Sequence, residues 1–143
     1  LSSTKTIVKN KSIILIDDSL VRGTTCHKII KMLYEAGAAE VHVRIACPQI
    51  KFPDFYGVDM PTKEELLAHG RNINEITMHI KATSLKFLSL EGLYLALVGE
   101  KRNLLYPQFS DHYFTGDYPI KPSDKIKGLK VKQLSLLSGK SNN

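Results

Sequence analysis

The sequence predicts an α/β fold with a partly or mostly parallel sheet. Residues 13–16 are four consecutive apolar residues, three of them isoleucine. Such a run predicts a strand that is buried on both faces, as strands of parallel sheets are. Apolar residues then recur at helical spacing over 26–33, and residues 41–47 alternate loosely before Pro48. A strand, a helix and a second strand in this order indicate a βαβ unit, whose two strands are parallel.

The first helix is expected to begin at Thr24 and to end at Gly37, because a left-handed glycine commonly terminates a helix. Residues 48–61 are aromatic-rich and punctuated by prolines, which predicts a loop. A helix is expected to begin at Thr62, with Glu65 as its capping-box partner. A short helix capped by Asn72 or Asn74 is expected to run through Ile80. A strand at 85–88 and a helix at 91–98 are expected to follow. From about residue 103 the chain is loop-like, with 114–119 as its most distinctive segment, and residues 121–143 form a basic tail expected to be flexible.

Bulk composition restricts the class of protein. The 143 residues, 43% of them hydrophobic, suffice for one domain with its own core. No apolar run approaches the roughly 20 residues of a membrane helix, and the polar first ten residues do not resemble a signal peptide. The net charge of +6 comes from scattered lysines, which does not indicate a nucleic-acid partner. Cys26 and Cys47 have neither metal-site nor disulfide spacing, which favours a reducing, cytoplasmic compartment.

The most informative segment links the first strand to the first helix. Asp17 and Asp18 end the strand, where carboxylates can accept hydrogen bonds from a vicinal diol or hold Mg²⁺. Gly23, Thr24 and Thr25 open the helix, where free backbone N–H groups and the helix dipole favour an anion such as phosphate. A ligand that carries phosphate, hydroxyls and a metal ion, such as a sugar 5-phosphate, fits both halves of the segment.

A purely structural role for the same residues is the alternative. An acidic pair at a strand end is often solvated or caps the next helix, and Thr24 and Thr25 could be ordinary helix caps. The combination of an apolar strand, two acids and Gly-Thr-Thr before a helix favours ligand binding. The segment contains neither Gly-x-x-x-x-Gly-Lys-Ser/Thr nor Gly-x-Gly-x-x-Gly, so a P-loop and a dinucleotide site are both disfavoured.

Residues 13–25 resemble the phosphoribosyl diphosphate (PRPP) signature of the type I phosphoribosyltransferases. Within that family, Asp-Asp-Ser-Leu-Val-Arg-Gly-Thr-Thr resembles the amidophosphoribosyltransferases, and the likeness covers roughly residues 1–120, including 35–38, 55–61, 64–68 and 114–116. The resemblance implies the type I phosphoribosyltransferase fold. It also implies the first committed step of purine synthesis, in which PRPP, glutamine and water give phosphoribosylamine, glutamate and diphosphate.

The resemblance also implies the roles of individual residues. The ribose hydroxyls and Mg²⁺ are assigned to Asp17 and Asp18, which are the expected metal ligands. Purine nucleotides are implied as inhibitors that use the same phosphate site as PRPP. The residues expected to bind the 5′-phosphate are Ser19, Arg22, Gly23, Thr24 and Thr25.

Val21 indicates which nucleophile the site accepts. Many relatives that transfer ribose to a purine or pyrimidine base carry an acid at this position, three residues after the second acid of the pair, where it takes a proton from the base. Ammonia attacks with an available lone pair and needs no prior deprotonation. A valine here is therefore compatible with an ammonia nucleophile and argues against base salvage.

The resemblance implies further parts that have no match in this sequence. These are the N-terminal glutaminase domain and the segments that precede the signature. We therefore expect a sheet that is incomplete at its N-terminal side, with no catalytic nucleophile in this chain. Ser110 and Tyr113 stand where one branch of the family has iron–sulfur cysteines, so no such cluster is expected.

Residues 1–120 are accordingly expected to form the C-terminal part of a phosphoribosyltransferase domain, inactive by itself, and the resemblance implies a homo-oligomer. Two alternatives stay open. One is an inactive truncated remnant, and the other is a PRPP- or nucleotide-sensing module. Tyr56 and Asp59 are expected in packing or domain contacts. The four histidines without ligand spacing are expected at the surface, namely His27, His42, His79 and His112.

Overall fold

A computed structural model describes residues 6–57 and 62–120 of the chain. Three strands form one sheet in the order β1-β2-β3, and both neighbouring pairs are parallel. This confirms the predicted α/β class and the parallel sheet. The elements are β1 (Ser12–Asp17), α1 (Thr24–Glu35), β2 (Glu40–Ile45), a 3₁₀ turn (Lys63–Glu65), α2 (Ile73–Ile80), β3 (Ser84–Phe87), α3 (Leu90–Val98) and α4 (His112–Thr115).

The core lies between the sheet and the helices α1 and α2. Val41 and Val43 of β2 are fully buried, as are Ile30 of α1 and Ile76 and Ile80 of α2. Buried residues four positions apart place one apolar face of each helix on the sheet. The β1–α1–β2 unit predicted from the sequence is thereby confirmed, and its two strands pair in parallel along their whole length.

The prediction that β1 is buried on both faces is wrong for the described residues. Leu15 packs against the core, but Ile14 and Ile16 are 65% and 73% exposed. Alternate side chains of a strand point to opposite faces of the sheet. Nothing in the described ranges buries the second face at β1, which is an edge strand of this sheet. The apolar run therefore predicted the strand but not its environment.

The helix ends follow the local sequence signals closely. Gly37 lies just beyond the end of α1 with φ of 94°, and its N–H donates to the Tyr34 carbonyl over 2.9 Å. Asn72 caps α2, because its side chain accepts the Glu75 N–H over 3.0 Å and Glu75 accepts the Asn72 N–H over 2.7 Å. This reciprocal arrangement is a capping box. The end of α1 and the start of α2 are confirmed.

The helix predicted from Thr62 is wrong beyond its first turn. The capping interaction forms, since the Thr62 N–H donates to the Glu65 carboxylate over 3.0 Å, but only the 3₁₀ turn follows. Leu66 then leaves the helical region with ψ of 116°. Leu66, Leu67 and Ala68 are all at most 3% exposed. Three consecutive buried residues cannot lie on one helical stripe, so tertiary burial outweighs the local helix signal.

The prediction that His112 lies at the surface is also wrong. His112 is 1% exposed, and its Nε2 is 2.8 Å from the Asp54 carboxylate while its Nδ1 is 3.1 Å from the Ser110 hydroxyl. Tyr56 stacks edge-on against the same ring, which confirms its packing role. This cluster fixes α4 against the loop after β2. His42 is also part-buried, and its Nδ1 lies 2.8 Å from the Ser84 hydroxyl.

A second polar cluster fixes the segment that follows α3. The Arg102 guanidinium contacts both carboxylate oxygens of Asp111, which is 4% exposed, and also reaches Asp117 over 2.7 Å. The Tyr94 hydroxyl donates to Asp111 over 2.8 Å.

No helix in the described ranges is long and apolar enough to cross a membrane. Asp59 and the predicted flexible tail at 121–143 lie outside the described residues.

Candidate functional site

The loop between β1 and α1 forms a cavity of about 340 Å³ at the carboxyl edge of the sheet. Ligands of open α/β sheets bind at this edge. The cavity is lined continuously by residues 17–26. The structure therefore brings together every residue predicted to bind substrate, namely Asp17, Asp18, Ser19, Arg22, Gly23, Thr24 and Thr25.

The two carboxylates occupy the strand end of the cavity. The Asp18 N–H donates to Oδ1 of Asp17 over 3.0 Å, and the Ser19 hydroxyl donates to Oδ1 of Asp18 over 3.3 Å. Asp17 is half-buried and Asp18 is exposed. These contacts orient the two carboxylates at the cavity, where their oxygens can accept hydrogen bonds from sugar hydroxyls.

The same two carboxylates are the residues that fit a divalent cation. Carboxylate oxygens are the hard ligands that Mg²⁺ prefers, and Mg²⁺ in proteins usually keeps several waters and ligand oxygens in its shell. No group of three or more histidine, cysteine, aspartate or glutamate side chains suited to a metal occurs in the described part of the chain. Two carboxylates therefore fit a cation that is coordinated partly by the bound ligand and by water better than a cation coordinated by protein side chains alone.

Gly23 turns the chain from the loop into α1. It is the N-cap residue with φ of 77°, a conformation that glycine adopts without strain, and a Cβ at this position would lie 2.5 Å from Cδ2 of Leu67. Among the described residues, no side chain caps α1. Thr24 and Thr25 are the first two residues of the helix, so neither threonine is a cap, and neither aspartate caps the helix. The helix N-terminus thus presents its first N–H groups and two hydroxyls to the cavity, as an anion site requires.

Arg22 brings a positive charge to the cavity but is already paired. Its Nη2 lies 3.3 Å from Oε1 of Glu65, and both side chains are about half exposed. The neighbouring backbone is joined as well, since the Leu67 N–H donates to the Val21 carbonyl over 2.8 Å. The sequence did not indicate this contact, because Glu65 was recognised only as a capping residue of its own turn.

Two thiols lie close to the acidic pair and are held neutral. Burial, reinforced by the charge of Asp17, raises the pKa of the Cys26 thiol to about 11. Burial also raises the pKa of Cys47, with a hydrogen bond from the Leu20 backbone acting in the opposite direction and the charges of Asp18 and Asp17 adding to the rise. A neutral thiol is a poor nucleophile, so the raised pKa values do not favour a nucleophilic role for either cysteine.

A second groove of about 530 Å³ lies at the carboxyl ends of β2 and β3, on the same edge of the sheet. Lys51 and Lys86 contribute positive charge, and Phe87 contributes a flat apolar surface. Sequence reasoning missed this groove, because its residues come from four separate segments. The two cavities follow neighbouring strands on the same edge of the sheet.

An α/β fold in which one loop joins an acidic pair to a helix N-terminus without a side-chain cap is typical of the class of proteins that bind phosphorylated sugars. The particular relatives are amidophosphoribosyltransferases. The chain is 49% identical to that of Rhizobium etli over 138 residues, and 46% identical to that of Staphylococcus epidermidis over 130 residues. These alignments cover 96% and 91% of this chain but 28% and 26% of the relatives. The predicted resemblance is thereby confirmed.

Solved structures agree with these sequence matches. The chain superposes with a TM-score of 0.72 and 43% identity on glutamine PRPP amidotransferase from B. subtilis complexed with ADP and GMP. A structure described as the allosteric regulatory enzyme of purine biosynthesis matches with a TM-score of 0.66 and 42% identity. Each match covers 80% of this chain and about a quarter of the other. No protein-family model matches. The chain thus spans about a quarter of the length of the relatives it matches.

Proposed function

We propose that this chain carries the ribose 5-phosphate-binding part of an amidophosphoribosyltransferase, which forms 5-phosphoribosylamine from PRPP and glutamine in purine biosynthesis. The observation that carries the proposal is the loop from Asp17 to Thr25, with two carboxylates at one end and an uncapped helix N-terminus at the other. Identity of 46–49% to amidophosphoribosyltransferases along nearly the whole chain supports the same enzyme.

The residues of the loop divide the ligand between them. The 5′-phosphate accepts hydrogen bonds from the backbone N–H groups that begin α1 and from the hydroxyls of Ser19, Thr24 and Thr25, with the positive charge of Arg22 nearby. Gly23 allows close approach of the backbone to the phosphate. Asp17 and Asp18 accept hydrogen bonds from the ribose hydroxyls. This division fixes the sugar at both ends, so that its anomeric carbon is oriented for attack.

Asp17 and Asp18 are also the residues that would hold Mg²⁺, directly or through its waters. When bound, the cation supplies charge neutralisation for the departing diphosphate. The half-buried position of Asp17 and the exposed position of Asp18 suit this double role, because one carboxylate is held in place while the other remains accessible.

The nucleophile in the proposed reaction is ammonia. Val21 stands at the position where base-transferring relatives carry a proton acceptor, and its carbonyl is engaged by the Leu67 N–H. Attack by ammonia needs no such acceptor. Ammonia from glutamine and the groups that bind diphosphate belong to further parts of an enzyme several times longer than this chain, as the lengths of the relatives allow.

Purine nucleotides are the second proposed ligand class. The solved relative from B. subtilis is complexed with ADP and GMP. A nucleotide 5′-phosphate would occupy the phosphate site at α1, and its base would extend towards the groove that contains Lys51, Lys86 and Phe87. The proposal extends, by resemblance, to a homo-oligomeric enzyme of the cytoplasm.

Calorimetric titration of the 143-residue chain with ribose 5-phosphate and with PRPP, each with Mg²⁺, tests the proposal. We expect saturable binding of both ligands, and a loss of at least roughly tenfold in affinity in the double variant Asp17→Asn with Asp18→Asn. Glu91→Gln with Glu100→Gln is the matched control, because it removes two charges of the same sign from exposed acids on or beside α3. In a longer enzyme that carries this chain, the Asp variants should abolish phosphoribosylamine formation and spare glutamine hydrolysis.

The same titration, extended to a purine nucleotide, and the measurement of phosphoribosylamine formation in the longer protein together separate the two alternatives. A sensing module would bind nucleotides and PRPP, and the longer protein containing it would form no phosphoribosylamine. An inactive remnant would bind none of these ligands. Binding by the wild-type chain that is unchanged in the double Asp variant would refute the role assigned to the acidic pair.

A further inference from the structure

Glu65 is a charged residue that pairs with Arg22 of the phosphate site and that the proposed function leaves without a role. We propose that Glu65 competes with the ligand phosphate for Arg22, and so sets the affinity of the loop for phosphorylated ligands. This inference rests on the proposed function, because it assumes that the loop binds a phosphate. It makes Glu65 an affinity-determining residue that does not touch the sugar.

The pairing of the two side chains is the first step. Oε1 of Glu65 lies 3.3 Å from Nη2 of Arg22. Hydrogen bonding from the Thr62 backbone, opposed by slight burial and aided by the charge of Arg22, lowers the pKa of Glu65, so the carboxylate is charged at neutral pH. A guanidinium recognises carboxylate and phosphate through the same planar array of donors. The carboxylate therefore occupies donor capacity that a phosphate would use.

The second step is that both partners are held in place by backbone. Oε2 of Glu65 accepts the Thr62 N–H over 3.0 Å, which fixes the carboxylate at the end of its turn. On the other side, the Leu67 N–H donates to the Val21 carbonyl over 2.8 Å, and the Leu67 side chain packs tightly against Gly23. The two segments that carry the ion pair are thus joined directly beside it. This arrangement keeps Glu65 beside the phosphate site whether or not Arg22 turns away.

The third step concerns how much the ion pair changes the affinity for phosphate. Exposed ion pairs contribute little to folding, so the pair does not exist mainly for stability. The attraction between Glu65 and Arg22 must nevertheless be given up when Arg22 turns to a phosphate, and two unit charges a few ångströms apart in water interact enough to change an affinity by about fivefold at low salt. Removing only the charge of Glu65 should tighten phosphate binding by about this factor.

The chain offers a conservative variant and a matched control. Glu65→Gln keeps an oxygen that accepts the Thr62 N–H, because glutamine also serves in a capping box, but removes the charge that pairs with Arg22. Glu64→Gln removes the same charge one residue earlier, where the carboxylate interacts with its own backbone, Thr62, Lys63 and His69. A comparison of the two variants separates pairing with Arg22 from net charge.

The test is titration of the wild-type chain and the variants with ribose 5-phosphate and with inorganic phosphate at low and high salt. We expect Glu65→Gln to bind both probes about fivefold more tightly at low salt, with a smaller gain at high salt, and Glu64→Gln to change affinity less than about twofold. In an Arg22→Gln background, Glu65→Gln should no longer tighten binding. Thermal unfolding by circular dichroism checks that each variant folds.

The possible results distinguish failure of the proposed competition from failure of the proposed function. Equal affinity of wild type and Glu65→Gln, equal gains in the two Gln variants, or a gain that persists without Arg22 would overturn the competition and leave the proposed function standing. Binding of neither probe by wild type or by Glu65→Gln would refute the proposed function itself. Binding by Glu65→Gln alone would support both proposals.

Discussion

At the scale of single residues, Gly23 joins the phosphate site to the core. Its positive φ lets the chain turn into α1 with free N–H groups ahead of it, and its missing side chain lets Leu67 approach. The sequence predicted that Gly23 is part of an anion site, where a glycine lets the backbone approach the anion closely. It could not predict the second reason for glycine, because Leu67 lies 44 positions further along the chain and reaches Gly23 only in the folded protein.

Gly23→Ala should damage both folding and binding. A Cβ would be strained at φ of 77° and would overlap Leu67, so we expect a loss of roughly 3 kcal/mol in the free energy of unfolding. Gly70→Ala is the control, because Gly70 has φ of 69° but no atom within 4 Å of the position that a Cβ would take; its cost should be about 1 kcal/mol. Urea unfolding measures both losses. Equal losses in the two variants would show that the contact with Leu67 is unimportant.

At the scale of elements, local signals predicted what local interactions decide. The capping box of α2 needs only Asn72 and Glu75, and the left-handed Gly37 needs only the helix it ends, so both were visible in the sequence. The helix after Thr62 was predicted wrongly because burial of the residues that follow it in the core overrides its cap. His112 was misplaced because its carboxylate partner lies in the distant loop after β2.

The segment after α3 should be sensitive to acid. Burial alone would raise the pKa of Asp111, but hydrogen bonds from Arg102 and Tyr94 and the charge of Arg102 outweigh it, so the pKa is lowered. A carboxyl group with a lowered pKa in the folded state stabilises the fold above its unfolded pKa. That stabilisation is lost as pH falls through the folded pKa, below about pH 4.

Asp111→Asn should therefore cost about 3 kcal/mol at pH 7, because it leaves the part-buried Arg102 without its main partner, and it should flatten the loss of stability below about pH 4. Asp117→Asn removes an exposed acid that pairs with the same arginine, and should cost less than about 1 kcal/mol. Urea unfolding, repeated from about pH 2.5 to neutral pH across the carboxyl range, measures both effects. Identical pH profiles for wild type and Asp111→Asn would contradict the assignment.

At the scale of the whole molecule, the sequence predicted the order of the three strands and of α1, α2 and α3, together with the composition of the loop, but it predicted neither the short helix α4 nor which surfaces are covered. The isoleucines of β1 predicted a strand with two buried faces, whereas one face carries Ile14 and Ile16 exposed in the described residues. Burial of that face depends on neighbours that no local pattern reveals. Contacts between distant segments, such as Arg22 with Glu65, were invisible for the same reason.

The central claim is that the loop from Asp17 to Thr25 binds the ribose 5-phosphate moiety. Nuclear magnetic resonance of the ¹⁵N-labelled chain, titrated with ribose 5-phosphate and Mg²⁺, tests this claim most directly. We predict that the backbone amides of Gly23, Thr24 and Thr25 shift most, together with those of Asp17 and Asp18. Shifts confined to the groove at Lys51 and Lys86, or no saturable shift at the loop, would contradict the claim.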